Sequence, residues 1–228
     1  MTTLFSHRGH FEDGIPDNSI ASLDKAVEKD FTAIEFDIWL YKDKLVINHD
    51  NPEEKKKKSF PNIVDYFKYH NNLEYWLDFK NMDEKNVDEI LFLIKRAVQE
   101  SSIDLNNLYF APCIDDYATT KKLFDKITSH FGDDVNLVAF CWREETLDSL
   151  QNFMTSENIK RVSIYHKLLT QDLVNQYGGN NIFTWTIKDI ETIKSLEKLG
   201  VENFATDDIT PSMLDKDKHV GRNSPTTL

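Results

Sequence analysis

Apolar and polar positions along the chain follow two alternating periods. Short runs rich in β-branched and aromatic residues recur at Thr3–His7, Ala33–Ile38, Leu45–Asn48, Tyr75–Phe79, Leu108–Ala111, Leu137–Phe140, Arg161–Tyr165, Ile182–Thr186 and Asn203–Thr206. Their length and composition are those of strands. Between most of them lie longer stretches with helical spacing. Ile20, Leu23 and Val27 form one stripe, with Asn18 or Ser19 placed to cap it. Val87, Ile90, Leu91, Ile94 and Val98 form a second, and Ile190, Ile193, Leu196 and Leu199 a third that Gly200 would stop.

Strands alternating with helices predict an α/β fold with a parallel sheet, either doubly wound or closed into a barrel. No glycine-rich phosphate loop follows the first strand, which counts against a nucleotide-binding doubly wound fold. A (β/α)8 barrel needs eight strands. One of the nine candidates therefore lies outside such a barrel, or is not a strand. With no internal repeat and little glycine or proline, the 228 residues read as one domain over residues 1–211 and a polar tail over 212–228.

Charge narrows the partners. A net charge of −12 argues against nucleic acid, whose backbone is bound by clustered Lys and Arg. The one basic run, Lys55 to Lys58, follows Glu53 and Glu54 and reads as a solvated loop before a headgroup contact. No stretch approaches the ~20 apolar residues of a membrane span. The first residues show no basic region followed by an apolar one. Cys113 and Cys141 are too few for a disulfide framework and lack metal-ligand spacing. Together these features suit a cytoplasmic protein; the sequence gives no oligomeric state.

Chemistry gathers where the first four runs end. The first closes on His7-Arg8-Gly9, the second carries Glu35 and Asp37, the third closes on His49-Asp50, and the fourth carries Asp78 and Lys80. In a β/α barrel, strand C-termini are where active sites are built. Residues two apart on a strand share a face, so Glu35 and Asp37 point together while Ile34, Phe36 and Ile38 point away. Carboxylates between such apolar flanks are costly unless compensated, and a bound cation is one solution. Oxygen donors without thiolates suit Mg²⁺ or Ca²⁺ rather than zinc. Any one of these acids alone is more often a surface or ion-paired residue. His10, His70, His130, His166 and His219 take an ordinary structural reading for the same reason.

In order along the chain, His7-Arg8-Gly9, Pro16-Asp17-Asn18-Ser19, Glu35-Phe36-Asp37, His49-Asp50, Asp78-Phe79-Lys80, Trp185-Thr186 and Gly200-Val201 through Thr206-Asp207 resemble the motifs of the glycerophosphodiester phosphodiesterases. The resemblance implies a TIM barrel that cleaves a phosphodiester to an alcohol and a phosphomonoester, sn-glycerol 3-phosphate in the family. It implies His7 and His49 as general acid and base, with Glu35, Asp37 and Asp78 holding one divalent ion. Arg8 and Lys80 would contact phosphate oxygens, and Trp185 would wall the pocket beside the alcohol. Those charges close near neutrality around a bound phosphodiester. Asp17 and Asp78 stand where the family usually has Glu, and an Asp-x-Lys strand also occurs in sphingomyelinase D-type phospholipases. Only 28 residues separate His49 from Asp78, so the family's small inserted domain is expected to be absent. Two other readings stay open at this point. One is a phospholipase D-like or cyclising lyase acting on a lysophospholipid or glycan-linked phosphodiester; the other is a barrel that binds phosphate without turnover.

Overall fold

The computed structural model describes residues 2–12, 14–54 and 59–222, so the basic run Lys55 to Lys58 lies outside the described residues. Eight parallel strands close on themselves: β1 (Thr3–His7), β2 (Ala33–Tyr41), β4 (Glu74–Phe79), β5 (Leu108–Pro112), β6 (Asn136–Cys141), β7 (Arg161–Tyr165), β8 (Ile182–Ile187) and β9 (Asn203–Thr206). Each pairs with the next in that order, and β9 returns to β1, which also pairs with β2. The result is a TIM barrel. All nine predicted strands exist; the extra one is β3 (Lys44–Ile47), which runs antiparallel along β2 outside the barrel.

The helices α1 (Ile20–Glu28), α2 (Ile63–Tyr69), α3 (Val87–Ser101), α4 (Tyr117–Phe131), α5 (Leu147–Ser156), α6 (Gln171–Tyr177), α7 (Ile190–Leu199) and α8 (Pro211–Arg222) follow the barrel strands in turn. Their starts are chemically marked. Ser19 caps α1 through a reciprocal pair of bonds with Ser22, while Asn62, Asp116, Thr170 and Asp189 cap α2, α4, α6 and α7. Gly200 ends α7 in the left-handed region at φ 103°, where the sequence placed a stop. The three predicted stripes point inward: Leu23, Ile90, Leu91, Ile94, Ile193 and Leu196 are all buried. Of the segment expected as a polar tail, residues 212–222 belong to α8, on which Leu214 is buried. Residues 223–228 lie outside the described residues.

Burial divides into two cores, as a closed sheet requires. Ile34, Phe36 and Ile38 of β2, with Leu77 and Phe79 of β4, pack outward beneath the helices. Phe5, Ala33, Trp76, Ala111, Val138, Phe183 and Ala205 fill the inside. Large and small side chains alternate around that inner layer, which keeps the barrel solid rather than porous. Between β3 and β4 lie a short 3-10 turn and α2, with no inserted domain among the described residues.

Candidate active site

The inner layer ends at a mouth, and strand register decides what stands there. His7 of β1 is level with Glu35 of β2, and Asp37 of β2 is level with Asp78 of β4. Because side chains alternate, all four project inward above the apolar layer. Glu35, Asp37 and Asp78 thereby bring one carboxylate oxygen each to within 4.8 Å of one another. Asp37 is 1% exposed.

The turn after β1 is fixed by its backbone. Arg8 and Gly9 both take positive φ, 60° and 75°. A Cβ on Gly9 would lie 2.6 Å from the Ser22 hydroxyl and 2.8 Å from its carbonyl carbon, so only glycine fits. This turn lets the Arg8 amide donate to both the carbonyl and the carboxylate of Glu35, at 2.7 and 3.2 Å. Asn18, also at positive φ, donates from its amide to Asp37 Oδ2 at 2.8 Å and accepts from the Asp37 amide. The sequence offered Asn18 as a helix cap. Its structural work is to clamp Asp37, while Ser19 does the capping.

His49 reaches the mouth by a different route from the one its motif suggested. It follows β3 and so does not stand at the end of a barrel strand. β2 overshoots the barrel, turns at Lys42 and Asp43, both at positive φ, and returns as β3 with Ile47 level with Ile38. The Asn48 amide then bonds the Asp37 carbonyl, and His49 emerges beside the site. His49 is 44% exposed, with Nδ1 2.8 Å from Asp50 Oδ1. His7 is more enclosed, with Nδ1 2.6 Å from Asp207 Oδ1 and Nε2 3.7 Å from Glu35 Oε2. A carboxylate can only accept, so Nδ1 of each ring donates and Nε2 is left for chemistry.

Both basic residues are paired with the carboxylates of the cluster. Lys80 Nζ lies 2.7 Å from Asp37 Oδ1 and 2.6 Å from Asp78 Oδ2, and Arg8 Nε lies 3.1 Å from Asp37 Oδ2. Burial alone would raise the Asp37 pKa, but Lys80, Arg8 and Asn18 hold it below the usual carboxylate range. Asp78 goes the other way: burial and the nearby Asp37 outweigh Lys80. Burial pushes Glu35 up to about 7, partly offset by His7. Burial opposes a charge on His7, yet Glu35 and the Asp207 hydrogen bond raise its pKa above the ordinary value.

A cavity of about 500 Å³ opens over this cluster, lined by His7, Arg8, Glu35, His49, Asp78, Lys80 and Trp185 among others. Asp37 lies beneath it, so all eight residues singled out in the sequence meet at one place. The far wall was not foreseen. Phe140 stacks on Trp185 at 5.6 Å, Trp142 stands half exposed, and Asp115 lines the rim while paired to Arg143 at 2.7 Å. Asp207 was visible as the acid closing the last strand, but nothing in one sequence ties it to His7. The remaining described histidines stand apart: His70 pairs with Asp24, His130 with Asp88, His166 bonds the Trp185 carbonyl, and His10 packs on Phe31. The side chain of His219 lies outside the described residues.

The TIM barrel thus carries a carboxylate cluster and two histidines at one cavity. The model of the Glycerophosphoryl diester phosphodiesterase family matches residues 7–56, which span the turn after β1, the two acids of β2 and His49. Along nearly its whole length the chain is 21% identical to YhdW of Bacillus subtilis (strain 168), a curated relative named for the glycerophosphodiester phosphodiesterases. That match covers 95% of this chain and 98% of the relative. A glycerophosphodiester phosphodiesterase from Parabacteroides distasonis ATCC 8503 superimposes with a TM-score of 0.74 at 19% identity, covering 97% and 98% of the two chains. An Oleispira antarctica phosphodiesterase, solved with the product sn-glycerol-3-phosphate, gives 0.71 at 14%, covering 95% and 96%. The chain therefore resembles the glycerophosphodiester phosphodiesterases in sequence over residues 7–56 and in fold over nearly its whole length. No described helix is long and apolar enough to cross a membrane.

Proposed function

We propose that this protein uses a divalent cation to hydrolyse a glycerophosphodiester to an alcohol and sn-glycerol 3-phosphate. The observation that carries this reading is the juxtaposition of two buried carboxylates and a partly buried third with two histidines at one cavity. The donor set fits a hard cation. All three donors are oxygens, and Asp78 Oδ1 is buried with no hydrogen-bond partner of its own. Glu35, Asp37 and Asp78 would hold a Mg²⁺ or Ca²⁺ ion, and bound there it would supply fixed positive charge against the non-bridging phosphoryl oxygens.

The chain's own residues account for the proton traffic. One histidine takes the proton of an attacking water through Nε2, and the other gives its proton to the departing alkoxide. His7 and His49 fill these two roles, with Asp207 and Asp50 fixing their tautomers. Such acid–base catalysis contributes ~10²–10⁴-fold. Arg8 and Lys80 add cationic donors for the phosphate, and the Trp185–Phe140 stack excludes water from the alcohol side.

The test is turnover of glycerophosphodiesters by wild type, His7→Ala and His49→Ala, with products followed by phosphorus NMR. Each variant should keep its fold and lose turnover by ~10²-fold or more, and EDTA should abolish wild-type activity reversibly. Full activity in either histidine variant would remove the acid–base assignment. A cyclic phosphate among the products would replace hydrolysis by the cyclising reading.

A further inference from the structure

The least expected feature of the site is where Lys80 points. Its Nζ sits between Asp37 Oδ1 and Asp78 Oδ2, at 2.7 and 2.6 Å. It therefore bridges two of the three carboxylates that a divalent ion would have to join. An ammonium and a hard cation compete for the same oxygens, and their like charges repel at such range.

Other contacts show which group would yield. Asp37 is held on its second oxygen by Asn18 and Arg8, so it stays in place if Lys80 leaves. Asp78 keeps one oxygen without a partner. Arg8 is a planar fork that also reaches Asp17, at 3.5 Å. Lys80 is a compact charge on a flexible stem, and it already lines the cavity.

We propose that Lys80 is a resident stand-in for the divalent cation: it holds Asp37 and Asp78 together until a cation binds, is then expelled, and becomes a phosphate contact in the cavity. This rests on reading the carboxylates as a cation site. Cation binding and phosphate binding are then coupled through one side chain, so removing it moves the two affinities in opposite directions. A lysine that only touched phosphate would leave cation affinity unchanged. One that only supported the carboxylates would weaken both.

The first experiment titrates Mn²⁺ into metal-stripped wild type and Lys80→Met by calorimetry, then inorganic phosphate into the cation-saturated forms. Lys80→Met should bind Mn²⁺ at least about tenfold more tightly and phosphate about tenfold more weakly. Unchanged or weaker Mn²⁺ binding overturns the proposal. Lys80→Met leaves three acids less compensated and could fail to fold, so a second measurement uses the wild type alone. Lysine acylation read by peptide mass spectrometry should show Lys80 labelled several-fold faster once Mn²⁺ is added and slower again with phosphate, while lysines on the outer helices do not change. Mn²⁺ binding with no change at Lys80 sinks this inference alone. No Mn²⁺ binding by the wild type sinks the cation reading and this inference with it.

Discussion

The pairing of His7 with Asp207 shows how much of this site depends on single contacts. Burial disfavours an imidazolium at His7, and the Asp207 carboxylate is one of the two groups that reverse that preference. Replacing Asp207 with Asn keeps the volume, removes the charge and allows the wrong tautomer. Asp207→Asn should lower kcat by ~10²-fold with little change in KM, and should move the limb of the pH–rate profile that His7 governs to lower pH. An unmoved limb with intact kcat would mean that Asp207 does not position the ring. At this scale the sequence was informative about what reacts and silent about what holds it. His7, Glu35 and Asp37 stood out because strand alternation and the apolar flanks force charged side chains into one place. Asn18 and Asp207 act through partners 19 and 200 positions away, and no local pattern encodes such a pairing.

Among the elements, the β2–β3 hairpin separates pattern from topology. The run at Leu45–Asn48 was legible as a strand, yet alternation cannot tell a barrel strand from one that turns back outside it. The clue lay in the turn, where Tyr41-Lys42-Asp43-Lys44 joins paired residues through only two others, too few for the crossover a parallel neighbour needs. It was easily missed, because Lys-Asp is not among the usual turn pairs for positive φ. Lys42 and Asp43 hold φ of 49° and 60°, a strained choice for residues bearing side chains. Replacing them with Asn and Gly should stabilise the protein by about 0.5–1 kcal/mol, read as a raised denaturant midpoint with an unchanged m-value, and leave kcat untouched because His49 stays in register. A loss of activity in the stabilised variant would show that the native turn does more than place His49.

For the whole molecule, the carboxylate cluster links folding, protons and cation in one balance. In the folded chain the Glu35 pKa is raised from 4.5 to about 7, chiefly by burial. Between those values the folded protein keeps a proton that the unfolded chain releases. Glu35 therefore contributes stability that is complete below about pH 4.5 and is lost as pH rises to about 7. His7, whose pKa is also raised, acts in the same direction, while the lowered pKa of Asp37 matters only in more acid solution. A cation needs the ionised carboxylate, so binding it expels the proton and its affinity rises through the same window. Thermal melts of metal-stripped protein should show Tm falling from about pH 5 to about pH 8. The increment in Tm from saturating Mn²⁺ should grow over the same range. Glu35→Gln should flatten the first slope and remove most of the second. A Mn²⁺ increment independent of pH in the wild type would mean that Glu35 is not among the groups the cation deprotonates.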